Sequence, residues 1–306
     1  MKLLPISQTI QSELVTIRDW LRFTVSQFEA SDIFFGHGTD NAYDEAVWLI
    51  LSSLHLPHDT LNNFLDARIT SVERSNLAIL IEQRIINHTP TAYLLKEAWL
   101  QGFKFYVDER VIVPRSFIAE LLNDHLHPWV EFPEMLESAA DICTGSGCLG
   151  ILLANSFPNA AIDVIDISAD AIDVANINIQ NYGLEEQITA IQSDMFSALE
   201  GKEYDVIISN PPYVDAPSMS TLPAEYQNEP QLALGSGADG LDHTHTLLRE
   251  AAKYLHDDGL LIVEIGHNRE ALIAAYPDLG FIWLEVSSGN QLVFLLTKSQ
   301  LVAYFE

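Results

Sequence analysis

Positive charge is scarce in this sequence. Among 306 residues there are 15 lysines and arginines against 43 aspartates and glutamates, which gives a formal net charge of −28. Because proteins bind free nucleic acid by neutralising its phosphates with basic side chains, this composition argues against free DNA as a partner. A basic protein partner would be attracted instead. Solubility alone, or a saline habitat, would account for the acidity equally well.

Cysteines are few and long apolar runs are missing. Cys143 and Cys148, the only cysteines, lie five residues apart in one glycine-rich stretch, which excludes a disulfide framework. No run approaches the roughly 18 apolar residues that a membrane-spanning helix needs, and MKLLPISQTI turns polar too early for a secretory signal. The ten histidines, including His243 and His245, show no ligand spacing. We therefore expect a cytoplasmic protein with no metal and no membrane association.

Residues 1–92 predict a helical domain. One set of apolar residues recurs at steps of three and four, which places its members on one face of a helix: Ile10, Leu14, Ile17, Leu21, Val25 and Phe28. Two further helical runs, YDEAVWLILSSLH and SVERSNLAILIEQRIIN, follow. We expect a bundle of about four helices with a role in substrate docking.

Residues 93–130 predict a β-hairpin followed by a connecting helix. FKFYV and RVIVP, joined by Asp108-Glu109, have the composition of paired strands. SFIAELLNDHLH then resumes helical spacing, with Ser116 as a candidate cap.

Residues 131–306 alternate between short apolar strands and helices. The strands AADIC, AIDVID, ITAIQ, YDVIIS and GLLIVEIG are separated by stretches such as SADAIDVANINIQNYG. This alternation is typical of an α/β fold with a doubly wound, mostly parallel sheet. FIWLEVSS and QLVFLLTK flank Gly289-Asn290, so we expect the sheet to end in an antiparallel hairpin. Glu264 closes the fifth strand, where a structural role is expected.

The stretch DICTGSGCLG follows the first of these strands and begins a helix. Gly145, Gly147 and Gly150 form G-x-G-x-x-G, which allows a tight turn and lets a ligand approach the free N–H groups of the helix. Asp166 ends the next strand, 21 residues after Gly145, where its carboxylate can accept hydrogen bonds from two ribose hydroxyls. Taken alone, this pattern also fits a dinucleotide site or a tight connection that binds nothing.

The third strand ends at QSDMF, which places Asp194 at the same carboxyl edge of the sheet. A carboxylate there can accept a hydrogen bond from an exocyclic adenine amine, and Met195 and Phe196 can pack on the ring. An isolated aspartate at such a position is more often a helix cap.

The fourth strand leads into Asn210-Pro211-Pro212-Tyr213. An amide or aromatic amine nitrogen is a poor nucleophile because its lone pair is delocalised. The side-chain oxygen of Asn210 and the carbonyl of Pro211 can accept both of its N–H groups, and the ring of Pro212 keeps the loop rigid. Tyr213 can stack on a flat substrate. This arrangement indicates transfer of a methyl group to a planar nitrogen, with the developing positive charge met by fixed acceptors.

The order D-x-C-T-G-S-G, D-I-S, S-D-M-F and N-P-P-Y resembles class I S-adenosylmethionine-dependent methyltransferases that modify planar nitrogens. Within that class the chain is similar to the HemK-like glutamine methyltransferases. The similarity takes in the helical N-terminal domain, VIVPRS and NEPQLALGSGADGLD, and so covers nearly the whole chain. It implies a Rossmann-like fold, S-adenosyl-L-methionine as methyl donor, S-adenosyl-L-homocysteine as product, and a glutamine side-chain nitrogen as acceptor.

The resemblance also implies roles for individual residues. The glutamine would be bound, and the reaction assisted, by Asn210, Pro211, Pro212 and Tyr213. Arg115 would either contact the protein substrate or anchor the hairpin. The residues expected to hold the methyl donor are Asp141, Thr144, Gly145, Ser146, Gly147, Asp166, Asp194, Met195, Phe196 and Asn210.

One branch of this family modifies the GGQ glutamine of peptide-chain release factors, and another a glutamine of the large-subunit (50S) ribosomal protein uL3. Release-factor enzymes typically read R-P-E-T-E after the hairpin, whereas residues 114–120 read PRSFIAE, similar to P-R-S-P-I-A-E of the uL3 branch. Phe117 departs from that pattern. The resemblance thus favours basic uL3 as partner. Release-factor methylation, adenine-N6 nucleic-acid methylation, a dehydrogenase and a non-catalytic assembly factor remain as alternatives.

Overall fold

The computed structural model describes residues 6–306. The expectation drawn from the first ten residues falls partly on residues 1–5, outside that range. Two compact units are present: one ends at Ala98 and also includes Pro223–Asn228, and the other comprises Trp99–Leu222 and Glu229–Glu306. The expected divisions at residues 92 and 130 stay predictions. Across residues 6–306, no helix has the length and apolar character needed to cross a membrane.

The N-terminal unit is helical. Its core is built from large apolar side chains with no exposed surface, among them Trp20, Leu49, Leu77 and Ile81. Its α-helices are α1 Gln8–Glu13, α2 Ile17–Glu29, α3 Ala42–Ser53, α4 Leu61–Phe64, α5 Ser71–Ile86 and α6 Thr91–Leu95.

The expectation of one continuous helix from residue 10 to residue 28 is wrong. The chain is extended at Leu14 and Thr16, and α2 begins anew at Ile17. The Thr16 hydroxyl accepts the Asp19 N–H at 3.2 Å, and the Asp19 carboxylate accepts the Thr16 N–H at 2.9 Å. This capping box starts a new helix, while the apolar spacing continues across the break and conceals it.

The second unit contains a small hairpin and a seven-stranded sheet. Its sheet order is β5-β4-β3-β6-β7-β9-β8, with β9 antiparallel to β7 and β8 and the other pairs parallel. The predicted mostly parallel sheet that ends in an antiparallel hairpin is therefore confirmed. The strands are β1 Ala98–Leu100, β2 Phe103–Phe105, β3 Ser138–Ile142, β4 Ala161–Asp166, β5 Ile188–Gln192, β6 Tyr204–Ser209, β7 Leu255–Glu264, β8 Ile282–Val286 and β9 Gly289–Thr297.

Helices connect these strands. They are α7 Ile118–Asn123, α8 Cys148–Ser156, α9 Ala169–Tyr182, α10 Ala216–Met219, α11 Asp242–Glu250, α12 Arg269–Ala275 and α13 Lys298–Phe305.

The first hairpin lies earlier in the chain than predicted. Its turn falls at Gln101-Gly102, where both residues have positive φ angles of 49° and 81°, as a type I′ hairpin turn requires. The segment RVIVP forms no strand. FKFYV does form a strand at its first three residues, β2 Phe103–Phe105. The expectation of a strand at RVIVP was wrong because Val111 and Val113 are buried as loop side chains, and burial gives loop and strand the same apolar composition.

The order of the strands positions the site. Strand order reverses between β3 and β6, whose ends are paired at Ile142 and Ser209. The Ser209 hydroxyl donates to the Ile142 carbonyl at 2.7 Å, which fixes the two strand ends together. In open α/β sheets, ligands bind outside the carboxyl ends of the strands at such a reversal.

Candidate active site

A cavity opens at the carboxyl ends of β3 to β6. It has about 780 Å³ of empty space, open mouth included. Its walls come from seven separate parts of the chain, represented by Arg110, Cys143, Asp166, Asp194, Asn210, Leu232 and His243.

The glycine-rich loop after β3 forms one wall of this cavity. Gly145 has φ +56° and Gly147 has φ +78°, a backbone region that favours glycine. A Cβ atom on Gly147 would lie 3.1 Å from the Cβ of Ala175 in α9, so the loop and this helix pack closely. Gly145 itself lines the cavity, and its N–H donates to Asp166 Oδ2 at 2.9 Å.

Asp141 supports this loop from inside the sheet. It is fully buried, and its Oδ2 accepts the Thr144 hydroxyl at 2.5 Å and the Gly150 N–H at 3.0 Å. Burial raises the pKa of Asp141 to about 7, although these hydrogen bonds oppose the rise. Asp141, Thr144, Ser146 and Gly147 are buried and do not line the cavity, so they shape the loop rather than its surface.

Asp166 and Asp194 both reach the cavity from the ends of β4 and β5. Asp166 is partly buried, its Oδ1 accepts the Ser168 N–H at 3.0 Å, and burial raises its pKa. Asp194 is exposed. The sheet thus brings the two aspartates and the glycine loop to one cavity, as the sequence predicted.

After β5, one residue lines the cavity and the next is buried in the core. Met195 lines the cavity with an unusual φ of +46°, and its sulfur lies 3.8 Å from that of Cys143, whose φ is +63°. Phe196 is fully buried and stacks on Tyr254 with ring centroids 4.7 Å apart. The structure therefore does not bring Phe196 to the cavity. We expected Phe196 to pack on a bound adenine, but its ring packs in the core of the protein instead.

Asn210 and Pro212 line the cavity directly after β6. The side-chain oxygen of Asn210 is buried and accepts no hydrogen bond from any group in residues 6–306. Leaving a buried acceptor unpaired costs about 1–3 kcal/mol, so such a group in a native protein calls for an explanation. A donor supplied by a ligand would satisfy this oxygen.

Pro211 and Tyr213 are held nearby without lining the cavity. Pro211 is buried. The Tyr213 carbonyl accepts the side-chain amide of Asn268 at 2.7 Å, and its ring packs over Gly266. A Cβ on Gly266, which has φ +53°, would lie 2.6 Å from that ring, so glycine is required for this packing. The Asn-Pro-Pro-Tyr turn is thereby fixed from both sides.

Arg115 joins two segments whose neighbouring residues line the cavity. Its guanidinium donates to the Glu229 carboxylate at 2.5 and 2.7 Å, and Glu229 also accepts the Val113 N–H at 2.9 Å. Glu229 is buried. Arg115 therefore anchors residues 110–115 to residues 229–233, which favours the anchoring role over a contact with protein substrate.

Glu264 lies at the end of β7, next to the end of β6. It is buried and accepts the Ser116 hydroxyl at 2.7 Å and the Phe117 N–H at 2.9 Å. Burial raises the pKa of Glu264 to about 7, although these hydrogen bonds act to lower it. Ser116 thus ties its segment to the sheet, and its oxygen also accepts the Ile118 N–H at 3.2 Å, just before α7.

Other cavity residues were not identified from the sequence. Arg110, Ile112, Leu232 and His243 were assigned no role from the sequence, and they reach the cavity only through the folding of distant segments. The Nδ1 atom of His243 lies 2.8 Å from the Ser236 hydroxyl, and burial lowers the pKa of its imidazole. Within residues 6–306 no three or more His, Cys, Asp or Glu side chains cluster as a metal site would require.

The sequence was compared with known proteins. Residues 119–224 match the methyltransferase small domain family. The chain is 59% identical over 290 residues to the ribosomal protein uL3 glutamine methyltransferase of Neisseria gonorrhoeae, covering 95% of this chain and 97% of that protein. It is 52% identical over 295 residues to the protein of the same name from Burkholderia pseudomallei, covering 94% and 96%.

Solved structures were compared as well. A methyltransferase from Pyrococcus furiosus superposes with a TM-score of 0.44 at 18% identity, over 74% of this chain and 98% of that one. The near full-length identity to the Neisseria and Burkholderia proteins confirms the predicted family. The protein is a methyltransferase, and it belongs to the family of ribosomal protein uL3 glutamine methyltransferases.

Proposed function

We propose that this protein transfers a methyl group from S-adenosyl-L-methionine to the side-chain amide nitrogen of a glutamine in ribosomal protein uL3. The observation that carries this proposal is the buried, unpaired side-chain oxygen of Asn210 at the wall of the cavity. An amide NH₂ group is a donor of the kind that this oxygen lacks. Relatives 44–59% identical to the chain are ribosomal protein uL3 glutamine methyltransferases, which supports uL3 as the substrate.

The residues around the cavity fit a nucleoside-containing methyl donor. Asp166 would accept hydrogen bonds from the ribose, Asp194 and Met195 would contact the adenine, and Gly145 would allow close approach to the backbone. The residues that support the loop from inside are Asp141, Thr144, Ser146 and Gly147. When bound, S-adenosyl-L-methionine supplies an electrophilic methyl group on a sulfonium, and S-adenosyl-L-homocysteine is the product.

The Asn-Pro-Pro-Tyr turn would hold the acceptor nitrogen. Asn210 Oδ1 accepts one N–H of the glutamine amide and the Pro211 carbonyl accepts the other. This fixes the nitrogen and favours a pyramidal geometry, in which its lone pair is available for reaction. Fixed acceptors also stabilise the positive charge that develops on the nitrogen. The proton becomes acidic as that charge develops, so no strong general base is needed.

Two neighbouring residues make this turn rigid. Pro212 restricts the backbone, and Tyr213 is held through its carbonyl by Asn268. Tyr213 would also border the flat amide of the substrate. A preorganised turn positions the nitrogen without ordering the loop during each turnover.

The acidity of the chain suits the proposed partner. Ribosomal proteins are strongly basic, and a net charge of −28 attracts a basic protein in the cytoplasm. Release factors remain the alternative protein substrate.

The test is a methylation assay with labelled S-adenosyl-L-methionine and three acceptors: purified uL3, a peptide-chain release factor and DNA. We expect label in uL3 alone, on a glutamine located by mass spectrometry, and its loss when that glutamine is replaced by glutamate. Label only in the release factor would contradict the substrate. Absence of S-adenosylhomocysteine binding by calorimetry would contradict the cofactor.

A further inference from the structure

Arg110 is the only lysine or arginine that lines the cavity in the described part of the chain. Its Nε and Nη2 atoms donate to the two oxygens of Asp108 at 2.8 and 2.7 Å. Asp108 therefore holds one edge of the guanidinium at the wall of the cavity.

The Asp108 side chain holds this guanidinium in place. Asp108 is 5% exposed, and it also accepts the Tyr106 hydroxyl at 2.8 Å and the Arg110 N–H at 3.2 Å. The hydrogen bond to Arg110 lowers the pKa of Asp108 to about 2, so the carboxylate stays ionised near neutral pH. A bidentate arginine–carboxylate pair has a fixed planar geometry. Arg110 is thus oriented before any ligand arrives.

The chemistry of the proposed reaction identifies a ligand for this group, and the inference rests on that proposed function. The acceptor glutamine is neutral, and the methyl donor carries an ammonium, a sulfonium and one carboxylate. Asp166 and Asp194 give the cavity negative charge, which favours the two cationic groups and disfavours the carboxylate. A carboxylate therefore requires a cation within the cavity, and guanidinium is the side chain best matched to it.

We propose that Arg110, braced by Asp108, binds the α-carboxylate of the methyl donor. Arg110 is then the residue that distinguishes an amino-acid-bearing nucleoside from one without a carboxylate. A contact to the protein partner is disfavoured, because a basic partner offers few anionic groups.

The test compares two ligands by calorimetry, on the whole protein without acceptor. One is S-adenosylhomocysteine, and the other is its decarboxylated form, which keeps the amine and lacks only the carboxylate. We expect Arg110→Met to weaken S-adenosylhomocysteine binding roughly 10- to 100-fold, as loss of a hydrogen bond between charged groups does. Binding of the decarboxylated ligand should change less than about twofold. Arg110→Lys should weaken S-adenosylhomocysteine binding by less than Arg110→Met does.

A matched control is Arg18→Met, which removes a bidentate arginine–aspartate pair on the surface of the N-terminal unit. It should leave both affinities unchanged. Equal weakening of both ligands by Arg110→Met would show that Arg110 only braces the cavity wall, and no weakening of either would place it outside the site. Both results overturn the inference and leave the proposed function standing. A wild-type protein that binds neither ligand overturns both.

Discussion

Asn178 binds the backbone of Tyr106 through both ends of its side-chain amide. Its Oδ1 accepts the Tyr106 N–H at 2.7 Å, and its Nδ2 donates to the Tyr106 carbonyl at 2.9 Å. The same Nδ2 donates to the Ser146 carbonyl at 2.9 Å. Asn178 has no exposed surface. One buried side chain of α9 therefore ties the segment that leads to Arg110 to the glycine-rich loop.

Asn178→Ala should destabilise the protein and weaken its binding of S-adenosylhomocysteine. The change leaves buried backbone groups of Tyr106 and Ser146 without partners, which costs roughly 2–4 kcal/mol in the free energy of unfolding. Urea unfolding and calorimetry measure the two effects. Asn181→Ala, on an exposed position of the same helix, should change stability by less than about 0.5 kcal/mol. Equal effects of the two substitutions would show that the hydrogen bonds of Asn178 contribute nothing to stability or to ligand binding.

Asn210→Ala should lower kcat without lowering stability. The Asn210 oxygen has no partner to lose within residues 6–306, so the free energy of unfolding should fall by no more than about 0.5 kcal/mol. A preorganised polar contact to the reacting group is worth on the order of 10² or more in rate, and S-adenosylhomocysteine binding should be largely retained. Single-turnover kinetics on uL3 measures the rate, with Asn181→Ala as the control. An unchanged rate would refute the role proposed for Asn210.

Glu264→Gln should remove part of the pH dependence of stability. The pKa of Glu264 rises from 4.5 to about 7 on burial, so the folded state binds the proton more tightly than the unfolded state. The free energy of unfolding then decreases as the pH rises from about 4.5 to about 7 and levels off above that range. Each pKa unit corresponds to about 1.4 kcal/mol.

Urea unfolding of both proteins between pH 5 and 8 tests this expectation. Relative to Glu264→Gln, the wild type should lose roughly 2–3 kcal/mol over the range. The neutral amide can still accept from the Ser116 hydroxyl, so the comparison isolates the charge. Parallel pH curves would show that Glu264 does not titrate in this window.

Arg84→Met should strongly destabilise the N-terminal unit. Arg84, Glu45 and Glu225 are each at most 5% exposed, and the guanidinium donates to both carboxylates. Burial raises the pKa of Glu225, but the hydrogen bonds from Arg84 and from backbone N–H groups, together with the charge of Arg84, outweigh burial and hold this pKa below its normal value. Removing the arginine leaves buried carboxylates uncompensated, at a cost of about 3–5 kcal/mol.

This cost should be larger at pH 8 than at pH 5, because at lower pH the unpaired carboxylates can take up protons in the variant. Arg18→Met removes an exposed pair between Arg18 and Asp66, whose side chains are 57% and 82% exposed, and it should cost much less than Arg84→Met because solvent screens an exposed pair. Thermal unfolding at both pH values compares the two variants. Similar losses for Arg84→Met and Arg18→Met would contradict the buried network.

Local sequence was a good guide wherever one segment carries the whole signal. A few consecutive residues encode each of three features: the strand that ends at Ile142, the glycine-rich loop, and the turn from Asn210 to Tyr213. It misled where local patterns are ambiguous. Apolar spacing of three and four continues across Leu14 and Thr16, although a capping box interrupts the helix there.

Phe196 shows the same limit within the site. The residues of QSDMF share one strand end, and sequence alone cannot say which of them face the cavity. The backbone turns at Met195, with φ +46°, and Phe196 enters the core beside Tyr254. That choice depends on a packing partner that lies far away in the chain.

The sequence by itself determined the family, the parallel sheet and the position of the Asn-Pro-Pro-Tyr turn, because contiguous motifs and strand periodicity encode them. Only the tertiary structure decided that Arg110 lines the cavity and that Arg115 forms a salt bridge with Glu229. It also showed that Asn178 hydrogen-bonds to the backbone of Tyr106 and that the Asn210 side-chain oxygen has no partner within residues 6–306. These properties are set by burial and by hydrogen bonds between segments remote in sequence, and no local pattern carries that information.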